Sequence, residues 1–249
     1  TSEDELYGDA TDKMAIAAEA TDLRQRAEDN TKLMLYTLFK SLGYQRVDML
    51  GYKDSGMPDM PENADPANFA NAPLDDAVLR LVRIIRRDRP QVLLTYDEEQ
   101  GHYPHPDHLR THEISVHAFD RAGDPDWFPE AGDPWQPSKM YYTTWARARI
   151  EATHQKMLEL GIESPFPTDW FDRPNLDHRI TTKVDVGAFL HIRDEALLAH
   201  ATQVDPNEKF WFGLTPQVAA ATYPWDDYIL ARSTIDTELP EDDLFAGLR

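Results

Sequence analysis

The 249-residue chain contains no cysteine. That removes disulfides, thiolate nucleophiles and cysteine-ligated metals, so any bound metal rests on His, Asp and Glu. A chain without thiols suits a reducing cytoplasm, where it is expected to reside. No apolar run approaches bilayer-spanning length, so no membrane partner is expected. No signal-peptide pattern opens the chain, and its first residue, Thr1, fits methionine removal and a missing N-terminal segment equally well.

Basic residues are scarce: 25 Lys and Arg stand against 45 Asp and Glu, a formal charge of −20. Such a surface repels phosphate backbones and argues against nucleic acid as a partner. The acidic excess reads as a solubility device, with adaptation to high salt as the alternative. Neither the G-x-S-x-G elbow of serine hydrolases nor the H-E-x-x-H helix of zinc proteases occurs. There is no internal repeat, low-complexity tract or interdomain linker, so residues 1–249 are expected to form one domain.

What is present reads as α/β. A helical, alanine-rich pattern runs from Asp12 to Leu42, and "RVDMLGY" (46–52) reads as a short strand. Residues 74–86 form an amphipathic helix and lead into a buried strand over 89–96, the grammar of a parallel sheet. A helix over 109–120, a strand over 138–145, a helix from 146, a strand over 178–186 and a helix over 189–203 follow. The expected fold is Rossmann-like: a mainly parallel sheet flanked by helices.

The densest chemistry lies in "GHYPHPDHLRTH" (101–112), which holds four histidines in twelve residues. It follows the strand at 89–96, and in open α/β sheets the ligand crevice lies at the carboxyl ends of strands. Pro104 and Pro106 fix φ and stiffen the loop that presents His105 and His108. With Pro106 or Asp107 opening the next helix, His108 falls in its first turn, where the dipole favours the neutral imidazole that zinc needs. His112, four residues on, shares a helical face with His108 and is read as a supporting or surface residue rather than a ligand. A catalytic zinc takes three protein ligands and keeps one position open, and no second dense His/Asp motif is visible.

"TYDEEQGHYPHPDHLRTH" (95–112), "GYKDSGMPD" (51–59), "LLAHATQVDP" (197–206) and "LPEDDLFAGL" (239–248) occur in that order. Together they resemble the mycothiol S-conjugate amidases of the zinc-dependent PIG-L/LmbE-like deacetylase superfamily. The resemblance implies a Rossmann-like fold and a Zn2+ cofactor. The zinc is held by the His and second Asp of an N-terminal A-H-P-D-D-E motif and by the last His of H-P-D-H, here His108. It makes His105 the histidine that stabilises the oxyanion and protonates the leaving amine, with Asp107 orienting and charging it. Tyr103 matches a tyrosine that polarises the carbonyl. Asp54, Met57 and Gln203 match substrate contacts, and Arg26 matches a residue that grips the inositol; "DSG" also reads simply as a turn.

Two departures stand out. The A-H-P-D-D-E segment is absent, and with it a first βα unit, two ligands and the general base, so the sequence is expected to be N-terminally incomplete. "EEQGHYPHPDH" is longer than the family's "NGGYPHPDH" and sets His102 where a glycine sits. The implied substrate is a small thiol–sugar conjugate hydrolysed at its amide. An N-acetylglucosaminyl deacetylase or a pathway-specific paralogue, and an inactive sugar-binding homologue, are the alternatives.

Overall fold

The computed structural model describes residues 33, 36, 39, 43–100, 104–199 and 204–249. The backbone divides into two compact units, Thr1–Asp48 and Met49–Arg249. In the first, Leu33, Tyr36 and Phe39 are helical, and Tyr44 N–H donates to the Phe39 carbonyl at 2.9 Å. The rest of the helix expected over 12–42 lies outside the described residues.

The second unit contains α1 (Leu74–Asp88), β1 (Val92–Tyr96), α2 (Pro106–Ala122), β2 (Lys139–Thr144), α3 (Arg147–Glu159), β3 (Thr182–Asp185), α4 (Leu190–Leu198), α5 (Lys209–Phe212), α6 (Pro216–Thr222) and β4 (Trp225–Ser233). The sheet order is β1-β2-β4-β3. β1 and β2 are parallel, whereas β4 runs antiparallel to both β2 and β3. The class is α/β as expected, and the sheet is mixed among the described strands.

The helix α1 forms because its apolar residues recur at helical spacing, and it ends where Arg89 turns left-handed at φ 50° and caps the Ile85 carbonyl. Its inner face, Ala77, Val78, Val82 and Ile85, packs on Ile114, Ala118 and Ala122 of α2. Arg86 is buried with them. Its guanidinium donates to the carbonyls of Ala122 (3.0 Å), Phe128 (2.7 Å), Asp124 and Trp127 (both 2.8 Å), which fixes the Trp/Pro-rich loop after α2. β1 then lies against α2, where Thr95 Oγ1 donates to Ser115 Oγ at 2.9 Å.

Alternation along β2 sends Met140 and Tyr142 to the core beside Phe119, and Lys139 and Tyr141 towards the C-terminal tail. There the fully buried Lys139 ammonium pairs with the equally buried Glu241 carboxylate. The same carboxylate accepts the Tyr141 hydroxyl at 2.6 Å and the Thr182 hydroxyl at 3.0 Å, while Lys139 also donates to the Ala246 carbonyl at 2.7 Å. The motif "LPEDDLFAGL" therefore serves as a staple that fastens the tail to β2 and β3.

Two expectations need correction. Residues 46–52 form no strand, because a strand exists only through ladder pairing, and the pairing here is a single bridge between Lys53 and Asn68. The strand expected over 178–186 begins at Thr182, after a 3-10 turn at Asp177–Arg179.

Candidate functional site

The carboxyl end of β1 carries the site. β1 ends at Tyr96, and α2 begins ten residues later with Pro106 at its first position, where a missing N–H costs nothing. His105 is the N-cap, and its Nδ1 accepts the Asp107 N–H at 3.2 Å. An acceptor Nδ1 places a proton on Nε2 in the neutral ring. His108 occupies the first turn of α2, as its spacing from the prolines predicts. Burial pushes its pKa down, the neighbouring His105 adds to that, and Asp107 opposes it.

Aromatic contacts set the ring planes. Tyr96 stacks on His108 with centroids 4.4 Å apart and planes within 11°, and His105 and His108 lie 5.0 Å apart. His112 spends its Nδ1–H on the Tyr96 carbonyl at 3.0 Å, which ties the last residue of β1 to α2. That contact gives His112 a supporting place, consistent with its reading from spacing.

Asp107 is fixed from the 51–59 loop. Its carboxylate is held on both oxygens by Ser55: Oδ2 accepts the Ser55 N–H at 3.1 Å, and Oδ1 accepts the Ser55 hydroxyl. Asp107 also meets His105 through its backbone N–H, which donates to the ring Nδ1. Ser55 is fully buried and its hydroxyl also accepts the Ala70 N–H at 2.9 Å, so it clamps the 51–59 loop onto the start of α2. Sequence reasoning missed Ser55, although it lies inside a quoted motif; its signal was a small polar residue between Asp54 and Met57.

Asp54 and Met57 flank Ser55. Asp54 Oδ1 accepts the Gly56 N–H at 2.8 Å, an Asx-turn, and Met57 is exposed. Both stand beside the clamp, and the turn reading of "DSG" describes the Asp54 side chain directly. Tyr103, Arg26 and Gln203 lie outside the described residues. Among the described residues no group of three His, Asp or Glu side chains converges as a metal requires. The described donors therefore do not complete a zinc site: a catalytic zinc takes three protein ligands, His108 would offer one imidazole, and the Asp107 carboxylate is engaged by Ser55.

The imidazole pair stands at the carboxyl edge of an α/β sheet, and the fold is that of the LmbE-like deacetylases. It is shared with N,N'-diacetylchitobiose deacetylase from Pyrococcus horikoshii, at a TM-score of 0.52 and 14% identity over 80% of this chain and 62% of that one, a likeness of fold alone. The family described as PIG-L, GlcNAc-PI de-N-acetylase, matches residues 8–119. Mycothiol S-conjugate amidase of Streptomyces coelicolor is 44% identical over 215 residues, 81% of this chain and 71% of that protein. The 1D-myo-inositol 2-acetamido-2-deoxy-alpha-D-glucopyranoside deacetylase 1 of Frankia alni is 40% identical over 79% of this chain and 70% of that protein. The chain belongs to the PIG-L/LmbE deacetylase family of hydrolases.

Proposed function

We propose that the protein is a cytoplasmic, zinc-dependent amidohydrolase that cleaves the amide of mycothiol S-conjugates, giving glucosaminyl-inositol and an N-acetylcysteine S-conjugate. The observation that carries this reading is the 44% identity to the Streptomyces coelicolor amidase across four-fifths of the chain. His108 would supply one zinc ligand, held neutral by burial and oriented by the Tyr96 ring. Bound zinc supplies a water acidic enough to be a nucleophile near neutrality.

The chain's own residues account for the rest. His105 would donate its Nε2–H to the developing oxyanion, and protonating the leaving amine, the other role the resemblance implies, would draw on the imidazolium form of the same ring. Asp107, fixed by Ser55, sets the start of α2 and so the positions of both histidines. Tyr103 would polarise the carbonyl, and Asp54, Met57, Arg26 and Gln203 would contact the sugar half of the substrate.

The Frankia alni relative, 40% identical, favours a second reading: removal of acetate from an N-acetylglucosaminyl-inositol. The two are separated by giving the full-length protein a bimane conjugate of mycothiol and the acetylated sugar side by side. Release of glucosaminyl-inositol from the conjugate is expected. Deacetylation of the sugar with the conjugate left intact would replace the amidase reading with the deacetylase one.

A further inference from the structure

Between Lys53 and α1 the chain forms a 3-10 turn over Pro61–Ala64 and a bridge from Lys53 to Asn68. Backbone carbonyls outside a helix or ladder still need donors. Three asparagines supply them here, since each side chain carries two N–H donors and one acceptor. Asn63 Nδ2 donates to the Ser55 carbonyl and, at 3.0 Å, to the Met57 carbonyl. Asn68, fully buried, donates to the Glu62 carbonyl at 2.9 Å and accepts the Asn71 N–H at 2.9 Å. Asn71 Nδ2 donates to the carbonyls of Asn63 at 2.8 Å and Asp65 at 2.9 Å. The Phe69 N–H closes the base of the loop on the Lys53 carbonyl at 2.9 Å.

This loop is tied to α2 at two places. Ser55 holds the Asp107 carboxylate through its N–H and its hydroxyl, and the Arg110 guanidinium donates to the Ala72 carbonyl. Asp107 and Arg110 stand three residues apart and so share one face of α2. The bonds form a relay in which each donor fixes the group that acts next. Asn71 fixes the Asn63 main chain, Asn63 fixes the Ser55 carbonyl, and Ser55 fixes Asp107 between the two histidines. Ser55 and Asn68 are fully buried, where water does not compete for their bonds. A loop satisfied from within is ordered before any ligand arrives, and such order is what keeps reacting groups in register with a substrate.

We infer that Asn63 is a positioning residue for the hydrolysis: through Ser55 it fixes Asp107, and with it the start of α2 that carries His105 and His108. The inference rests on the hydrolase reading given above and adds to it a residue that acts on the histidines at one remove. Asn68 and Asn71 hold Asn63 in place and belong to the same relay.

Asn63→Asp tests it, because it keeps the shape and replaces both N–H donors with a carboxylate facing two carbonyls. In the full-length protein, amide hydrogen exchange at Ser55 should be about tenfold faster in Asn63→Asp than in the wild type, the scale of one hydrogen bond. Turnover should fall by about ten- to a hundredfold in kcat with KM within about twofold, since a displaced reacting group acts on the chemical step. A double-mutant cycle separates positioning from plain destabilisation. In a Ser55→Ala background Asn63→Asp should lower kcat by only about two- to threefold, because the hydroxyl half of the Ser55 contact is already gone. Equal factors in the two backgrounds, as a purely structural loss gives, overturn the inference. So does unchanged exchange at Ser55, or a rise in KM with kcat intact, which would set Asn63 against the substrate. Asn71→Ala, at an exposed position, should move exchange and kcat in the same direction by smaller factors. If Asn63→Asp does not fold, wild-type exchange and kcat in Asn71→Ala overturn the inference in its place. Kinetics are read on whichever of the mycothiol bimane conjugate and the acetylated sugar is hydrolysed, so turnover of the sugar alone fails the amidase reading while the same ratios still judge Asn63.

Discussion

Lys139→Met should be among the most damaging single changes in the protein, far from any reacting atom. Lys139 and Glu241 are both fully buried, and the ammonium is shared among Glu241, the Thr237 hydroxyl at 3.2 Å and the Ala246 carbonyl at 2.7 Å. Removing it strands a carboxylate in the interior and releases the tail. Breaking a buried pair from one side costs about 3–5 kcal/mol. At roughly 2–4 °C per kcal/mol for a domain of this size, the melting temperature should fall by roughly 6–20 °C. Lys139→Met with Glu241→Gln, which removes the stranded charge, should recover part of that loss. The pH dependence has a definite sign. Burial pushes the Glu241 carboxyl up, but hydrogen bonds from Lys139, Thr237, Tyr141 and Thr182 hold it below the ordinary carboxylate range. Its contribution is therefore full above the unfolded value of about 4.3 and is lost as pH falls through the folded value. Differential scanning calorimetry between pH 7 and pH 3 reads both effects. A drop under about 2 °C for Lys139→Met at pH 7 would refute the reasoning that this pair is desolvated and coupled.

Other outcomes follow from the same contacts. Arg86→Met strips donors from four carbonyls at the end of α2 and in the loop after it and should destabilise by roughly 2–4 kcal/mol in urea titrations, with Arg86→Lys restoring little because one ammonium cannot reach them all. Ser55→Ala removes the hydroxyl from Asp107 Oδ1 while leaving the backbone N–H on Oδ2, and should lower kcat more than it raises KM; a pure KM effect would make Ser55 a substrate contact instead. His112→Ala should leave zinc content unchanged while reducing stability by about 1 kcal/mol, since it deletes one strand-to-helix hydrogen bond.

The parts of the fold set by local periodicity were legible in the sequence. The apolar face of α1 and the Pro-led start of α2 both fall where spacing and capping chemistry put them. β4 was not anticipated, although it is the strand that joins β2 to β3 and makes the sheet mixed. Its sequence, "WDDYILARS", opens with four adjacent acidic or aromatic residues before its aliphatic run, and its identity as a strand comes from partners distant in the chain. Residues 46–52 failed in the opposite direction: a strand-like composition without a ladder. In the site, the placement of His108 could be read from two prolines and a helix start. The partner of Asp107 could not, because a bond across fifty-two residues leaves no local trace. The tail motif shows a third case: its residues matched a family pattern, and the structure gives Glu241 a buried role in holding the sheet.

The division of labour between the two histidines at the start of α2 is the central claim, and one paired measurement tests it. Zinc content and turnover of a mycothiol bimane conjugate are determined for the full-length protein, His108→Ala and His105→Ala. The account predicts that His108→Ala loses metal, whereas His105→Ala keeps it and loses turnover by about 10²–10³-fold, the scale of one oxyanion donor. Equal loss of zinc in both variants, or full turnover in His105→Ala, would contradict it.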